Sequence, residues 1–436
     1  MVSKPELLAP AGDFERLKYA LAYGADAVYA GAPAFSLRAR ENGFHTLDDL
    51  AEGIRYCHAQ GKKFYLAANV IARNTKVEPF QKSLLATLEL KPDALIVADP
   101  GIIGWLRKVA PQVPLHLSVQ ANTTNYLTAG FWADQGISRI ILSRELRLAE
   151  MQEIRSRVPG LELEAFVHGA VCMAMSGRCM LSDWTAHRDA NQGACNNSCR
   201  MPYRLFANAH PQGDDYQPQQ GSFELERSDA PGAERIALDE DSWGTYFMNS
   251  RDLCNIDRIP ELVNAGLDSF KIEGRTHSIF YLSAVVFAYR RAIDAACAGE
   301  PVPDAAKLAV GFTDSRGRMS GLFNGPVPQN YGTTKVTGAE GQVAALVRNL
   351  DTAELRADVL IKNRFSTGDK IAVLTPGGLY PCAISSMRNF KGEPADTLHP
   401  GTTGSVFFSK NVIFATKEAI FAFLVTLNPA GAPASH

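Results

Sequence analysis

Apolar positions over the first 280 residues fall into a repeating two-part pattern. An amphipathic stretch runs to a Gly or Pro, and a short, nearly continuous apolar run follows it. The runs are YGADAVYAG (23–31), QGKKFYLAAN (60–69), LKPDALIVAD (90–99), QGISRIILSR (135–144), PGLELEAFVHG (159–169) and AGLDSFKIEG (265–274). PELLAPAG (5–12), PLHLSVQAN (114–122) and TYFMNS (245–250) bring the strand candidates to about nine. Between them, segments such as FERLKYALAY (14–23) read as helix, with Asp13 placed to cap the start and Gly24 to end it. Strands alternating with helices are βαβ units, and βαβ units build parallel sheets. About eight such units in roughly 250 residues predict a closed α/β barrel of the (β/α)8, TIM-like type, with one strand candidate left over. No G-x-G-x-x-G follows an early strand, which weighs against an open dinucleotide-binding sheet.

The pattern breaks after the seventh strand. Residues 169–204 gather cysteines, and 205–242 are polar, Gly/Pro-rich and aperiodic, as expected of an irregular insertion. Residues 281–300 read as helix and 301–335 as a connector. From about 336 the texture changes to short alternating runs (GQVAALVRN, ADVLIKNRF, DKIAVLTPGG, GTTGSVFF, AIFAFLVTL) separated by turns. That predicts a small C-terminal all-β, barrel-like domain over 336–425, following a catalytic barrel over 1–300, with 426–436 a disordered tail.

Composition narrows the class. The chain has 436 residues, 46% hydrophobic and 21% charged, which suits a folded protein with a large core and excludes collagen-like, coiled-coil or wholly disordered chains. No apolar run reaches the roughly 20 residues of a membrane span. The start MVSKPELLAP lacks a signal-peptide pattern, so a cytoplasmic location is expected, with no membrane partner. A net charge of −2 means that any nucleic-acid contact comes from a local basic surface. Eight cysteines are too few for a disulfide scaffold.

Four of them, Cys172, Cys179, Cys195 and Cys199, are separated by six, fifteen and three residues. Thiolates are soft ligands, so the set reads as iron–sulfur, as zinc, or as buried thiols that bind nothing. The three-cysteine C-x3-C-x2-C pattern of radical adenosylmethionine enzymes is absent. The cluster follows strand LELEAFVH and therefore lies at the C-terminal face of a barrel, where such folds build active sites. Other strands deliver polar residues to the same rim. His168, Glu273, Lys271, Arg144 and Glu145 are the catalytic candidates. Arg38, Arg40, Asn69, Asp99, Gln120, Asn122, Asn249 and Arg275 are the substrate-binding candidates. Taken singly, each is also a plausible cap or turn residue. Together they describe a pocket for a polar, anionic small molecule. No H-E-x-x-H, G-x-S-x-G or Walker loop is present.

The segments PELLAPAGDFERLKYALAYGADAVYAG, LSVQANTTN, ILSRELRLAEMQEI, EAFVHGAVCMAMSGRCMLS, NQGACNNSCR, YFMNSRDL and SFKIEGR resemble the peptidase U32 family, and within it the tRNA-hydroxylating branch. The resemblance spans about residues 4–300 and extends loosely into the C-terminal module. It implies a [4Fe-4S] cluster on Cys172, Cys179, Cys195 and Cys199, loaded by iron–sulfur assembly machinery. It also implies oxygen-independent hydroxylation of carbon 5 of the tRNA wobble uridine, with prephenate as a co-substrate. Relatives that hydroxylate a 23S rRNA cytidine or a ubiquinone precursor share the core and define the alternatives. A peptidase or collagenase activity ranks below them, because no protease constellation accompanies the family label. His168 and Glu273 are expected to handle the proton that leaves carbon 5. Arg38, Arg40, Arg178, Arg200, Arg204, Lys362 and Arg364 are expected to meet RNA phosphates.

Overall fold

Eight of the apolar runs become parallel strands that close into a ring in a computed structural model. It describes residues 4–37, 43–172, 174–200, 206–208, 216–218, 223–225, 236–241, 244–246, 250–324, 340–351, 353–409 and 421–427. Strands β1 (Glu6–Pro10), β2 (Ala27–Gly31), β3 (Lys63–Ala67), β4 (Ala94–Val97), β5 (Leu115–Leu117), β6 (Arg139–Ile141) and β7 (Glu162–Gly169) pair in chain order. Helices α1 (Phe14–Ala22), α2 (Leu47–Ala59), α3 (Asn74–Leu88), α4 (Pro100–Val109), α5 (Tyr126–Asp134) and α6 (Leu148–Arg157) alternate with them. The start of α1 is set as its sequence predicts: the Asp13 side chain accepts from the Arg16 amide, and Gly24 follows the helix at φ 107°.

The chain leaves the ring after β7. A short helix α7 (Leu181–Ala186) lies in the cysteine segment. Short strands follow: β8 (Phe206–Asn208) pairs with β9 (Tyr216–Pro218), and β11 (Ile236–Asp241) lies between β10 (Phe223–Leu225) and β12 (Gly244–Tyr246). The 205–242 stretch thus carries strands where its sequence predicts irregular chain, because three of them have three residues, too few to display an alternation, and the six of β11, IALDED, do not alternate apolar with polar. The ninth strand candidate, TYFMNS, contributes to β12 and stays outside the barrel.

Strand β13 (Asp252–Cys254) runs antiparallel to the end of β7, pairing Leu253 with Gly169 and Cys254 with His168. Helix α8 (Ile259–Asn264) then leads into β14 (Ser269–Ile272), which pairs with both β7 and β1 and closes the ring. The 20-residue α9 (Ile279–Ala298) packs across α1, α8 and β1. Residues 301–335, expected to connect only, hold α10 (Asp304–Gly311) and a two-residue strand β15 (Arg318–Met319) that pairs with β13. Among the described residues no helix is long and apolar enough to cross a membrane.

The C-terminal module is antiparallel throughout its main sheet. Its strands are β16 (Gly341–Asp351), β17 (Arg356–Ile361), β18 (Phe365–Ser366), β19 (Ile371–Leu374), β20 (Leu379–Cys382), β21 (Ile384–Arg388), β22 (Thr397–Leu398), β23 (Thr403–Phe408) and β24 (Phe423–Leu427). Seven of them form one sheet in the order β20-β19-β24-β16-β17-β23-β21. Thr426 and Leu427, expected in a frayed tail, instead pair with Gln342 and Gly341, and residues 428–436 lie outside the described residues. The module docks on α1 and α9: Phe423 packs against Tyr19, Tyr23 and Phe280, and the Tyr23 hydroxyl donates to the Phe421 carbonyl at 2.6 Å.

Candidate active site

At the C-terminal ends of the barrel strands the ring opens into a pocket of about 140 Å³. Strand direction explains what lines it. Tyr29 comes from β2, Asn69 from just beyond β3, and Ser118 and Gln120 from the turn after β5. Arg144 follows β6, Phe166 belongs to β7, and Cys172 and Ser176 follow β7. Lys271 is carried by β14, with Glu273 and Arg275 beyond it. The structure therefore brings together six of the predicted polar candidates, Arg144, Lys271, Glu273, Asn69, Gln120 and Arg275, with Cys172.

Their electrostatics are set by burial. Lys271 is 4% exposed, bonds Glu164 at 2.9 Å, and lies 4.3 Å from the centre of the Tyr29 ring. Glu164 is wholly buried and also meets Arg139, which in turn reaches Glu6 at 2.6 Å. This alternation of charges through the barrel interior keeps each buried ion paired. The Tyr29 hydroxyl donates to the Ile272 carbonyl and to Glu273 at 3.2 Å. Burial first, and then the Glu273 charge, push the Tyr29 phenol well above its ordinary range, so it stays a protonated donor. Arg144 sits 3.9 Å over the Phe166 ring and has no ion pair among the described residues. Asn69 donates to Ser118 at 3.2 Å and accepts from the Leu37 amide. Gln120 is 1% exposed, yet neither amide atom has a hydrogen-bond partner among the described residues.

Other predicted residues stand elsewhere. His168 does not enter the pocket. A register shift between β7 and β14 matches Phe166 to Lys271 and His168 to Ile272, leaving Val167 as the extra residue. Such a bulge re-aims the side chains that follow it. His168 accordingly lies against α9, with Nδ1 3.3 Å from the Tyr289 hydroxyl. Burial, then the Arg318 and His277 charges, drive its pKa down to about 3, so the ring is neutral. The expected proton-handling His168 is thus a packed core residue. Glu145 does not touch the pocket either: it accepts from the Ser176 amide at 2.6 Å and from the Ser176 hydroxyl, anchoring the cysteine segment. Asp99 caps α4, accepting from Gly101 and Ile102, and takes the Ala72 amide as well. Asn122 has a left-handed backbone at φ 51° and donates to the Met175 carbonyl. These three are positioning residues where substrate contact or catalysis is the expectation from sequence. Arg38, Arg40, Arg204 and Asn249 lie outside the described residues, as does the side chain of Arg200.

Among the described residues, Cys172, Cys179, Cys195 and Cys199 form no disulfide. Cys172 is exposed on the pocket wall, while Cys179 and Cys195 accept backbone amides from Leu181 at 3.3 Å and Asn197 at 3.4 Å. Four thiols, two of them accepting backbone amides, suit an iron–sulfur cluster by their chemistry. Among the described residues, however, no three His, Cys, Asp or Glu side chains converge to hold a metal ion.

Sequence reasoning missed Tyr29, Ser118, Phe166 and the charges beneath them. A signal existed for the charges: Arg139 and Glu164 interrupt runs that are otherwise apolar (SRIIL, LELEAFV). Among the described residues no histidine lines the pocket.

Known proteins of similar sequence place this arrangement. The tRNA hydroxylation protein P of Escherichia coli (strain K12) is 41% identical over 420 residues, covering 91% of this chain and 92% of its own. That of Haemophilus influenzae is 41% identical over 418 residues, covering 90% of each. The 23S rRNA 5-hydroxycytidine C2501 synthase of Escherichia coli is 33% identical over 309 residues, 71% of this chain but 42% of its own. Residues 340–413 match the peptidase family U32 C-terminal domain. Residues 12–331, which contain seven of the eight barrel strands and every pocket residue named above, match peptidase family U32, and the chain belongs to that family.

Proposed function

We propose that this protein is a tRNA hydroxylase that places a hydroxyl on carbon 5 of the wobble uridine, with the barrel pocket as its reaction site. One observation carries the reading. The likeness to tRNA hydroxylation proteins runs through the C-terminal β module and covers nine-tenths of both chains, whereas the rRNA enzyme is matched over less than half its length.

Replacing the hydrogen on carbon 5 by hydroxyl is a two-electron oxidation that requires an oxygen source and the loss of one proton. In this reading prephenate, without molecular oxygen, is both the oxygen donor and the two-electron acceptor, its C–OH becoming C–H as the uridine C–H becomes C–OH. Arg144, Lys271 and Arg275 supply the cationic donors that a carboxylate co-substrate needs. Glu273, hydrogen-bonded to Tyr29, is the carboxylate placed to accept the departing proton. Cys172, Cys179, Cys195 and Cys199 would hold the [4Fe-4S] cluster, which supplies one-electron chemistry when bound. Glu145 and Asn122 fix the segment that carries Cys172 and Cys179. RNA phosphates are met by local cations, among them Lys362 and Arg364, both exposed on the β module.

The test is mass spectrometry of tRNA nucleosides from cells lacking the gene, grown without oxygen and complemented with wild type or Cys172→Ala. The expected result is loss of 5-hydroxyuridine derivatives, restored by wild type alone. Unchanged tRNA in every strain sinks the assignment and directs attention to ribosomal RNA and quinones.

A further inference from the structure

We infer that Gln120 reads the edge of a pyrimidine base seated in the barrel pocket, with a side-chain amide able to turn and match either uracil or cytosine. This rests on the proposed reaction at the same pocket and names the recognition element within it.

Gln120 is 1% exposed and lines the pocket, and both Nε2 and Oε1 lack a partner among the described residues. A buried amide with neither end satisfied is costly in the free protein, and a ligand that meets both ends recovers that cost. The backbone beneath it is fixed. Gln120 sits in the short turn Val119–Ala121, which the Ser118 hydroxyl caps, and its carbonyl accepts from Arg178 Nε at 2.7 Å. The main chain is held, while among the described residues nothing holds the amide in either orientation.

An amide presents one donor beside one acceptor. A carboxylate offers acceptors only and leaves Oε1 unmet, so the pocket's cations, not Gln120, suit it. The matching edge is a coplanar donor and acceptor. Uracil has one: its O4 accepts from Nε2–H, and its N3–H donates to Oε1. Cytosine has the mirror pattern: its N4–H donates to Oε1, and its N3 accepts from Nε2–H. Turning the amide by half a rotation exchanges the two. The apolar faces of Val119, Ile96 and Ile141 and the Phe166 ring provide the walls that a base drawn out of its stack requires. Gln120 therefore selects pyrimidines without choosing between them, and the choice falls to contacts outside this pair.

The test uses the full-length protein and a 17-nucleotide anticodon stem-loop carrying U, C, A or an abasic site at the target position, with binding read by fluorescence anisotropy. The U and C forms are expected to bind within about threefold of one another and about tenfold more tightly than the abasic and A forms. Gln120→Met should bring U and C down to the abasic affinity while leaving the abasic form unchanged. Gln120→Glu, an acceptor at both oxygens, meets only the single donor on either edge and should weaken U and C alike. Circular dichroism melting checks that each variant is folded, and either variant alone carries the comparison. The inference is overturned if wild type does not distinguish U from abasic RNA, or if Gln120→Met weakens U and abasic RNA equally or not at all. Hydroxylation of the U form is measured in parallel. Binding that follows Gln120 without any hydroxylation supports the base pocket and counts against the reaction. Hydroxylation with kcat and KM unchanged in Gln120→Met does the reverse.

Discussion

Glu164 has no exposed surface and lies between two cations, Lys271 at 2.9 Å and Arg139 at 3.3 Å. Removing its charge leaves both partners buried and underpaired, so Glu164→Gln should cost about 3–5 kcal/mol in urea unfolding. A loss under 1 kcal/mol would mean that water reaches the barrel interior. His168 makes a prediction of opposite chemistry. Its native pKa of about 3 lies below the ordinary 6.5, so between those values the unfolded chain binds more protons than the native one. Stability contributed by the neutral ring is therefore complete above about pH 6.5 and is lost as pH falls toward 3. The slope is up to about 1.4 kcal/mol per pH unit. Urea midpoints at pH 7 and 5 should converge in His168→Gln relative to wild type, and an identical shift in both proteins would refute the buried neutral histidine.

Elements place these residues by phase. Along β7, Glu164 and Phe166 share the interior face, and the bulge at Val167 breaks the alternation before His168. One extra residue thus separates a pocket residue from a core residue two positions later. Asp99 shows the same issue at a helix start. It accepts three backbone amides, from Gly101, Ile102 and Ala72, which tie α4 to the loop after β3. Asp99→Ala should lower stability by about 1–2 kcal/mol, read from thermal melting, with KM for RNA unaltered. A raised KM with unchanged melting would restore Asp99 to the substrate.

Across the whole molecule, the β module is fastened to the barrel through an apolar contact that takes in Leu346, Leu374, Phe423 and Val425, and through Arg291 of α9, which donates to the Gly377 carbonyl. Phe423 is 2% exposed and meets Tyr19, Tyr23 and Phe280, and Tyr23 is bonded to carbonyls of Leu374 and Phe421. Phe423→Ala should cost about 3–5 kcal/mol and split one calorimetric transition into two, as the module melts before the barrel. A single transition at the wild-type temperature would show that this contact does not couple them. Lys362 and Arg364 lie on the same module, so loosening it should also weaken RNA binding.

Local pattern determined much of this protein. The apolar runs fixed eight parallel strands, because strands buried on both faces must be apolar along their length. Caps such as Asp13 fixed helix starts, and the change to alternating runs near residue 336 marked the β module. The rim candidates Arg144, Lys271, Glu273, Asn69, Gln120 and Arg275 were legible because each ends or follows a barrel strand, and closure of the ring gathers whatever stands there. What sequence could not decide is which way each side chain faces. The bulge that turns His168 outward, the short strands within 205–242, and the pairing of Glu164 with Lys271 across 107 residues all depend on register between distant segments. So does the amide of Gln120, whose lack of a partner among the described residues is visible only once every neighbouring strand is in place. Register is set by the sum of contacts around the closed barrel, and no single stretch of the chain contains it.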